Sequence, residues 1–159
     1  MQKQAIKASF KRVHQQGMTI YEILTVCVII SVLVMIAVPN FIANKDRAND
    51  SQIESNARTL RIMLETYKVD HKLYPEDLRT LGYEATQEKY NKAMTNPYSQ
   101  ASGEVESGKW AIDYVGPTGP AGMVTYQPLA GGDKYYIFGY AKDGSFHKKS
   151  GKIFTMSNG

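Results

Sequence analysis

Gly17-Met18-Thr19-Ile20-Tyr21-Glu22 runs directly into residues 23–44, a stretch of 22 residues that carries no charge. Upstream lie 17 residues holding Lys3, Lys7, Lys11 and Arg12 and no acid. About 20 helical residues at ~1.5 Å each match ~30 Å of hydrocarbon, so the uncharged stretch is long enough to cross a bilayer. Glu22 is the odd member, a single carboxylate at the mouth of the span. Unpaired, a carboxylate there costs on the order of a few kcal/mol, so its presence calls for a functional account. A basic head, a glycine, a short polar step, a glutamate and then the span read together as a processing and assembly signal.

The run Gln16-Gly17-Met18-Thr19-Ile20-Tyr21-Glu22, followed by Val38-Pro39-Asn40-Phe41, resembles the class III signal of type IV pilins and type II secretion pseudopilins. The resemblance is specific over about residues 12–45 and looser over the following helix. It implies that a prepilin peptidase, a membrane aspartic enzyme, cuts after Gly17 and methylates the new amino terminus at Met18. It also implies that Glu22 helps each incoming subunit dock into a filament, with Thr19 positioning the N-terminus. Three positions depart from the family: Met18 stands where Phe is commoner, Tyr21 where an aliphatic is usual, and Ser31 where many members carry Gly. The glycine and the glutamate are both present.

The formal net charge of +4 belongs to the leader. Removing its four cations from the 19 basic residues of the chain leaves 15, against 15 acidic ones. The basicity is therefore an orientation signal, placing residues 1–17 in the cytoplasm and everything after about Asn44 outside, and no nucleic-acid signature. A secretory leader would have a shorter apolar core with small residues at the cut after it. Here the cut precedes the span, which stays in the product. The lone cysteine, Cys27, lies within the span, so no intrachain disulfide is available to the head.

Three segments follow from this: residues 1–17 as a leader that is removed, 18–44 as a transmembrane and filament-core helix, and 45–159 as the head. Removing 17 residues from 159 leaves 142, enough for one long helix and one small core. The spacing predicts a continuous helix from residue 18 to about 70, amphipathic beyond the membrane, where Ile53, Ala57, Leu60, Leu64 and Tyr67 recur at intervals of four and three. Pro39 inside it predicts a kink or loosening near residues 35–39. Tyr74-Pro75 ends the helix, and Pro75 opens a short second helix closed by Gly82. Residues 83–108 read as a polar connecting loop. Strand signals follow at residues 110–115, 123–127 and 135–140, with a last hairpin pairing 146–148 and 152–155 across Ser150-Gly151. Short turns between consecutive strands predict an antiparallel sheet covering the helical stripe, an α+β pilin-like head.

Other motifs are weaker. The two collagen-like triplets at residues 116–122 are too few for a triple helix and read as an inter-strand loop. The sequon Asn49-Asp50-Ser51 falls within a helix. Asp133 and Asp143 sit in turns; resemblance to secretion pseudopilins, which hold calcium in this region, makes them weak calcium candidates, but their spacing fits no dense oxygen-ligand pattern. His147-Lys148-Lys149 with Lys142 and Lys152 form a basic hairpin, readable as a DNA-binding surface and more simply as a charged guard on a sheet edge. The tyrosines read as core and contact residues. His14, His71 and His147 are scattered, and no nucleophile has a partner base nearby, so a signal-anchored enzyme is the weakest reading.

The resemblance therefore implies a structural, non-enzymatic filament subunit with no cofactor. It would be a single-pass protein of the inner membrane before assembly and an extracellular or periplasmic filament afterwards. Its partners would be identical subunits, the prepilin peptidase, an inner-membrane assembly platform and the membrane. The alternative within the same family is the major pseudopilin of a type II secretion system.

Overall fold

The computed structural model describes residues 17–158 and divides between Phe41 and Ile42 into two compact units. Lys3, Lys7, Lys11, Arg12 and His14 lie outside the described residues.

The first unit is the opening part of α1 (Ile20–His71), a helix of 52 residues. It is the one helix among the described residues long and apolar enough to cross a membrane. Its large apolar side chains, from Ile20 to Phe41, are exposed. The polar side chains of the run bond their own backbone. Thr25 Oγ1 donates to the Tyr21 carbonyl at 2.9 Å, Ser31 Oγ to that of Cys27 at 2.7 Å, and Asn40 Nδ2 to that of Ile36 at 3.1 Å. Such back-bonding satisfies hydroxyl and amide groups without outside partners, which a helix in hydrocarbon requires. The helix runs without a break through Pro39.

In the second unit, the remainder of α1 packs on a small sheet. Ile53, Ala57, Leu60 and Leu64 are wholly buried, as their spacing predicts, and Tyr67 is half-buried against them. Asn56 and Met63 join the buried face. Asn56 is tolerable there because its Nδ2 donates to the Thr95 carbonyl at 3.0 Å and its Oδ1 accepts from Gln52 at 2.9 Å. After His71 the chain turns with Lys72 in the left-handed region at φ 64°, and the Tyr74 amide donates to the Gly132 carbonyl at 2.9 Å.

The second helix, α2 (Leu78–Gln87), starts later and runs further than the expected Pro75–Gly82 element. Asp77 is its N-cap, its Oδ1 accepting from the Thr80 amide at 2.7 Å, while the Leu78 amide donates to Asp113 Oδ1 at 2.9 Å. Gly82 does not end the helix but sits buried within it, because the Glu106 side chain lies where a Cβ would project. The connection expected over residues 83–108 thus holds the second half of α2. It also holds a two-strand ladder of β1 (Met94–Thr95) and β2 (Ser102–Gly103), and a 3₁₀ turn at Val105–Ser107.

The main sheet has the order β3-β4-β5-β8, with β3 (Ala111–Asp113), β4 (Val124–Pro128), β5 (Tyr135–Gly139) and β8 (Thr155–Ser157). Two pairings are antiparallel, but β3 runs parallel to β4, correcting the all-antiparallel expectation. A parallel pair needs a connection that returns the chain to the same end of the sheet. The Gly/Pro-rich loop supplies it by folding back over Tyr140. The tyrosine hydroxyl donates to the Gly116 carbonyl at 2.7 Å, the Gly119 amide to that of Gly144 at 2.9 Å, and the Tyr140 ring occupies the space of a Gly119 Cβ. β6 (Lys148–Lys149) and β7 (Lys152–Ile153) make a separate hairpin with Ser150 at φ 53° and Gly151 at φ 79°. The expected partner strand 152–155 is therefore split, its end rejoining the main sheet as β8.

Val124, Tyr126, Tyr135 and Ile137 form the inner face against α1. Their hydroxyls are not left dry: Tyr126 donates to the Pro75 carbonyl at 2.6 Å, and Tyr135 and Tyr74 donate to the two Glu65 oxygens at 2.8 and 3.0 Å.

Candidate assembly site

Gly17 and Met18 lie just ahead of α1, and Met18 is 77% exposed. A Cβ on Gly17 would meet nothing within 4 Å, so the glycine is not demanded by packing. Thr19 and Glu22 then form a reciprocal cap. Glu22 Oε2 accepts from the Thr19 amide at 2.7 Å and from the Thr19 hydroxyl at 2.9 Å, while the Glu22 amide donates to Thr19 Oγ1 at 3.3 Å. This is a capping box, Thr-x-x-Glu, holding two of the amides that a helix start leaves unpaired. The Thr-x-x-Glu spacing of residues 19–22 is itself a sequence signature of a helix start. The cap fixes the carboxylate at the head of the apolar run, exposed and able to accept a further donor.

The four lysines of the basic hairpin are solvent-exposed, whereas His147 is buried against α1. Asp46, Asp50 and Glu54 recur every four residues on one side of α1 and face the hairpin. Lys142 Nζ lies 3.9 Å from Asp46 Oδ1, His147 Nδ1 3.6 Å from Asp50 Oδ1, and Lys149 Nζ 2.5 Å from Glu54 Oε2. His147 is buried, with Nε2 3.7 Å from Glu54 Oε1. Burial pulls the Glu54 carboxyl up, but the hydrogen bond and charge of Lys149 and the nearby His147 together hold it below the usual glutamate range. Half of the hairpin's positive charge is thus matched inside the molecule, and Lys148 and Lys152 remain on its exposed side.

The two turn aspartates are not brought together by any contact. Asp143 Oδ1 accepts from the Ser145 hydroxyl at 2.7 Å and amide at 3.0 Å, and these bonds hold its carboxyl below the usual range. At Asp133 the backbone carbonyl accepts from Asn158 at 2.7 Å. Among the described residues no cluster of three metal-ligating side chains forms.

Comparison with known proteins gives matches over part of the chain. It is 38% identical over 65 residues to type II secretion system core protein G of Klebsiella michiganensis, covering 41% of this chain and 46% of that protein. The core protein G of Escherichia coli K12 is 41% identical over 61 residues, 38% of this chain and 42% of the relative. Competence protein ComGC of Halalkalibacterium halodurans is 34% identical over 71 residues, 45% of this chain and 70% of the relative. Against the core protein G relatives the chain spans less than half of their length. No family model and no solved structure matches.

Proposed function

Because the chain belongs to the family of pilin-like proteins that includes type II secretion core protein G and competence protein ComGC, we propose that it is the repeating subunit of a membrane-assembled filament. It inserts through residues 18–44, is cut after Gly17, is methylated at Met18 and polymerises by packing α1 against α1 of its neighbours. The observation that carries this reading is the capped Glu22 carboxylate at the mouth of an otherwise uncharged run. A carboxylate in a filament core needs a cation. The processed amino group of Met18 on a neighbour is the one at hand, since residues 18–44 hold no Lys or Arg. Prepilin peptidase and an inner-membrane platform are the partners implied, and the assembled filament lies outside that membrane.

A second reading, the major pseudopilin of a secretion system, is favoured by the recurrence of core protein G among the relatives. Deleting the chain separates the two, since loss of secreted proteins in the medium marks the pseudopilin and loss of surface fibres alone marks the pilus.

Intact-mass measurement of sheared filaments tests the common core. The expected subunit lacks residues 1–17 and carries one added methyl group, and Gly17→Val leaves precursor in the membrane. Filaments containing Met1 would refute processing.

A further inference from the structure

The hairpin of β6 and β7 presents an apolar side chain beside a cation. Its register sets Lys148 opposite Ile153 and Lys149 opposite Lys152. Residues opposite each other in a ladder share a face, and successive residues alternate between faces. Lys149 turns to Glu54 on α1, so Lys148 and Ile153 form the outward face. Ile153 is 50% exposed, and among the described residues Lys148 makes no ion pair.

At the end of α1 the same unit carries an open cleft of about 390 Å³, walled by Tyr67, His71, Leu73, Tyr74 and Glu76. The Tyr67 and His71 rings stack with centroids 4.1 Å apart, and Leu73 is 49% exposed. His71 Nε2 lies 3.6 Å from Glu84 Oε1. The Tyr67 phenol is pushed up by burial and then by the fields of Glu84 and Glu76, so both carboxylates bear on the cleft. Among the described residues no lysine or arginine pairs with either of them. Lys68 lies instead against the Tyr74 ring, 4.4 Å from its centroid.

The two surfaces are complementary: an isoleucine beside a cation, and apolar and aromatic walls beside two carboxylates. Within one copy they cannot meet, because Glu54, which Lys149 reaches, and His71 lie about 26 Å apart along α1. We propose that the β6–β7 hairpin of one copy docks in the cleft of a second copy, with Ile153 against Leu73 and the Tyr67–His71 stack and Lys148 between Glu76 and Glu84. A contact between two different surfaces repeats from copy to copy without closing on itself, which generates an open helical array. It rests on the reading of the chain as a repeating subunit and adds a contact between heads to the packing of α1.

Cross-linking of sheared filaments of the full chain with a short bis-maleimide tests it. Leu73→Cys and Ile153→Cys, both at exposed positions, are introduced together and singly, with Cys27 present throughout. The paired variant should give a ladder of covalent multimers, and each single variant only the background of the unsubstituted chain. Charge is tested separately. Lys148→Glu should lower filament yield about fivefold, the scale of one exposed ion pair, and Glu76→Lys in the same chain should restore it. This exchange also decides the matter if the paired cysteine variant does not assemble. Filaments without a ladder, a ladder from either single variant, or no rescue by the charge exchange overturns the contact and leaves the filament reading intact. If the unsubstituted chain forms no filaments, the filament reading and the contact fall together.

Discussion

Tyr135 Oη donates to Glu65 Oε1 at 2.8 Å across 70 positions of sequence, and Tyr74 takes the other carboxylate oxygen at 3.0 Å. One side chain on α1 thereby ties the helix to β5 and to the turn that ends it. The rings of Tyr74 and Tyr135 meet edge to face at 4.6 Å, and Lys68 Nζ sits 4.4 Å from the Tyr74 ring centroid. Apolar packing between the stripe and the sheet is non-directional, so it holds the layers together without setting their register. The paired hydroxyls supply the register.

Tyr135→Phe keeps the ring and removes one donor from a carboxylate that retains another. Stability should fall by about 1.5 kcal/mol, the lower end for a hydrogen bond to a charged group. Thermal melts of the full chain in detergent would check it, and an unchanged midpoint would show that the bond does not hold α1 on the sheet.

Asp77 gives the head an acid-sensitive element. The Thr80 amide and then the Thr80 hydroxyl, against partial burial, hold its carboxyl below the ordinary value of 3.8. A lowered carboxyl stabilises the fold above the unfolded value, and that contribution fades as pH falls through the folded one. Asp77→Ala should cost about 1 kcal/mol near neutral pH. Asp77→Asn should cap nearly as well at neutral pH and flatten the loss of stability below pH 3.8, as followed by circular dichroism.

Gly139 lies on β5 where the Ile53 Cγ2 methyl occupies the position of a Cβ. Gly139→Ala should therefore overpack the α1–sheet contact and cost about 1–3 kcal/mol. A neutral result in chemical denaturation would mean that Ile53 shifts freely, which its complete burial argues against.

The long helix and its buried face were legible because periodicity writes burial into the sequence, at Ile53, Ala57, Leu60 and Leu64. Local glycine rules misled at Gly82, where the chain needed closeness to Glu106 and no helix stop. The parallel pairing of β3 with β4 was not legible, because it depends on how residues 114–123 fold over Tyr140, a contact distant in sequence. His147 read as an exposed base for the same reason, since its partners lie nearly 100 residues earlier, on α1.

Glu22→Gln isolates charge from shape at the assembly site. A glutamine at this position still accepts from the Thr19 amide, since either residue completes a capping box, so the start of α1 is preserved. Insertion, cleavage after Gly17 and folding of the second unit should all be unchanged. What disappears is the attraction for the incoming ammonium of Met18, with no other cation within residues 18–44 to replace it. Filament yield in sheared fractions from a strain expressing no other subunit should fall roughly tenfold or more, as counted by electron microscopy. Thr19→Val serves as the contrast, since it removes the hydroxyl half of the cap and leaves the Glu22 charge in place. If Glu22→Gln assembles normally while Thr19→Val does not, the pair acts as a helix cap alone and the docking role of the carboxylate fails.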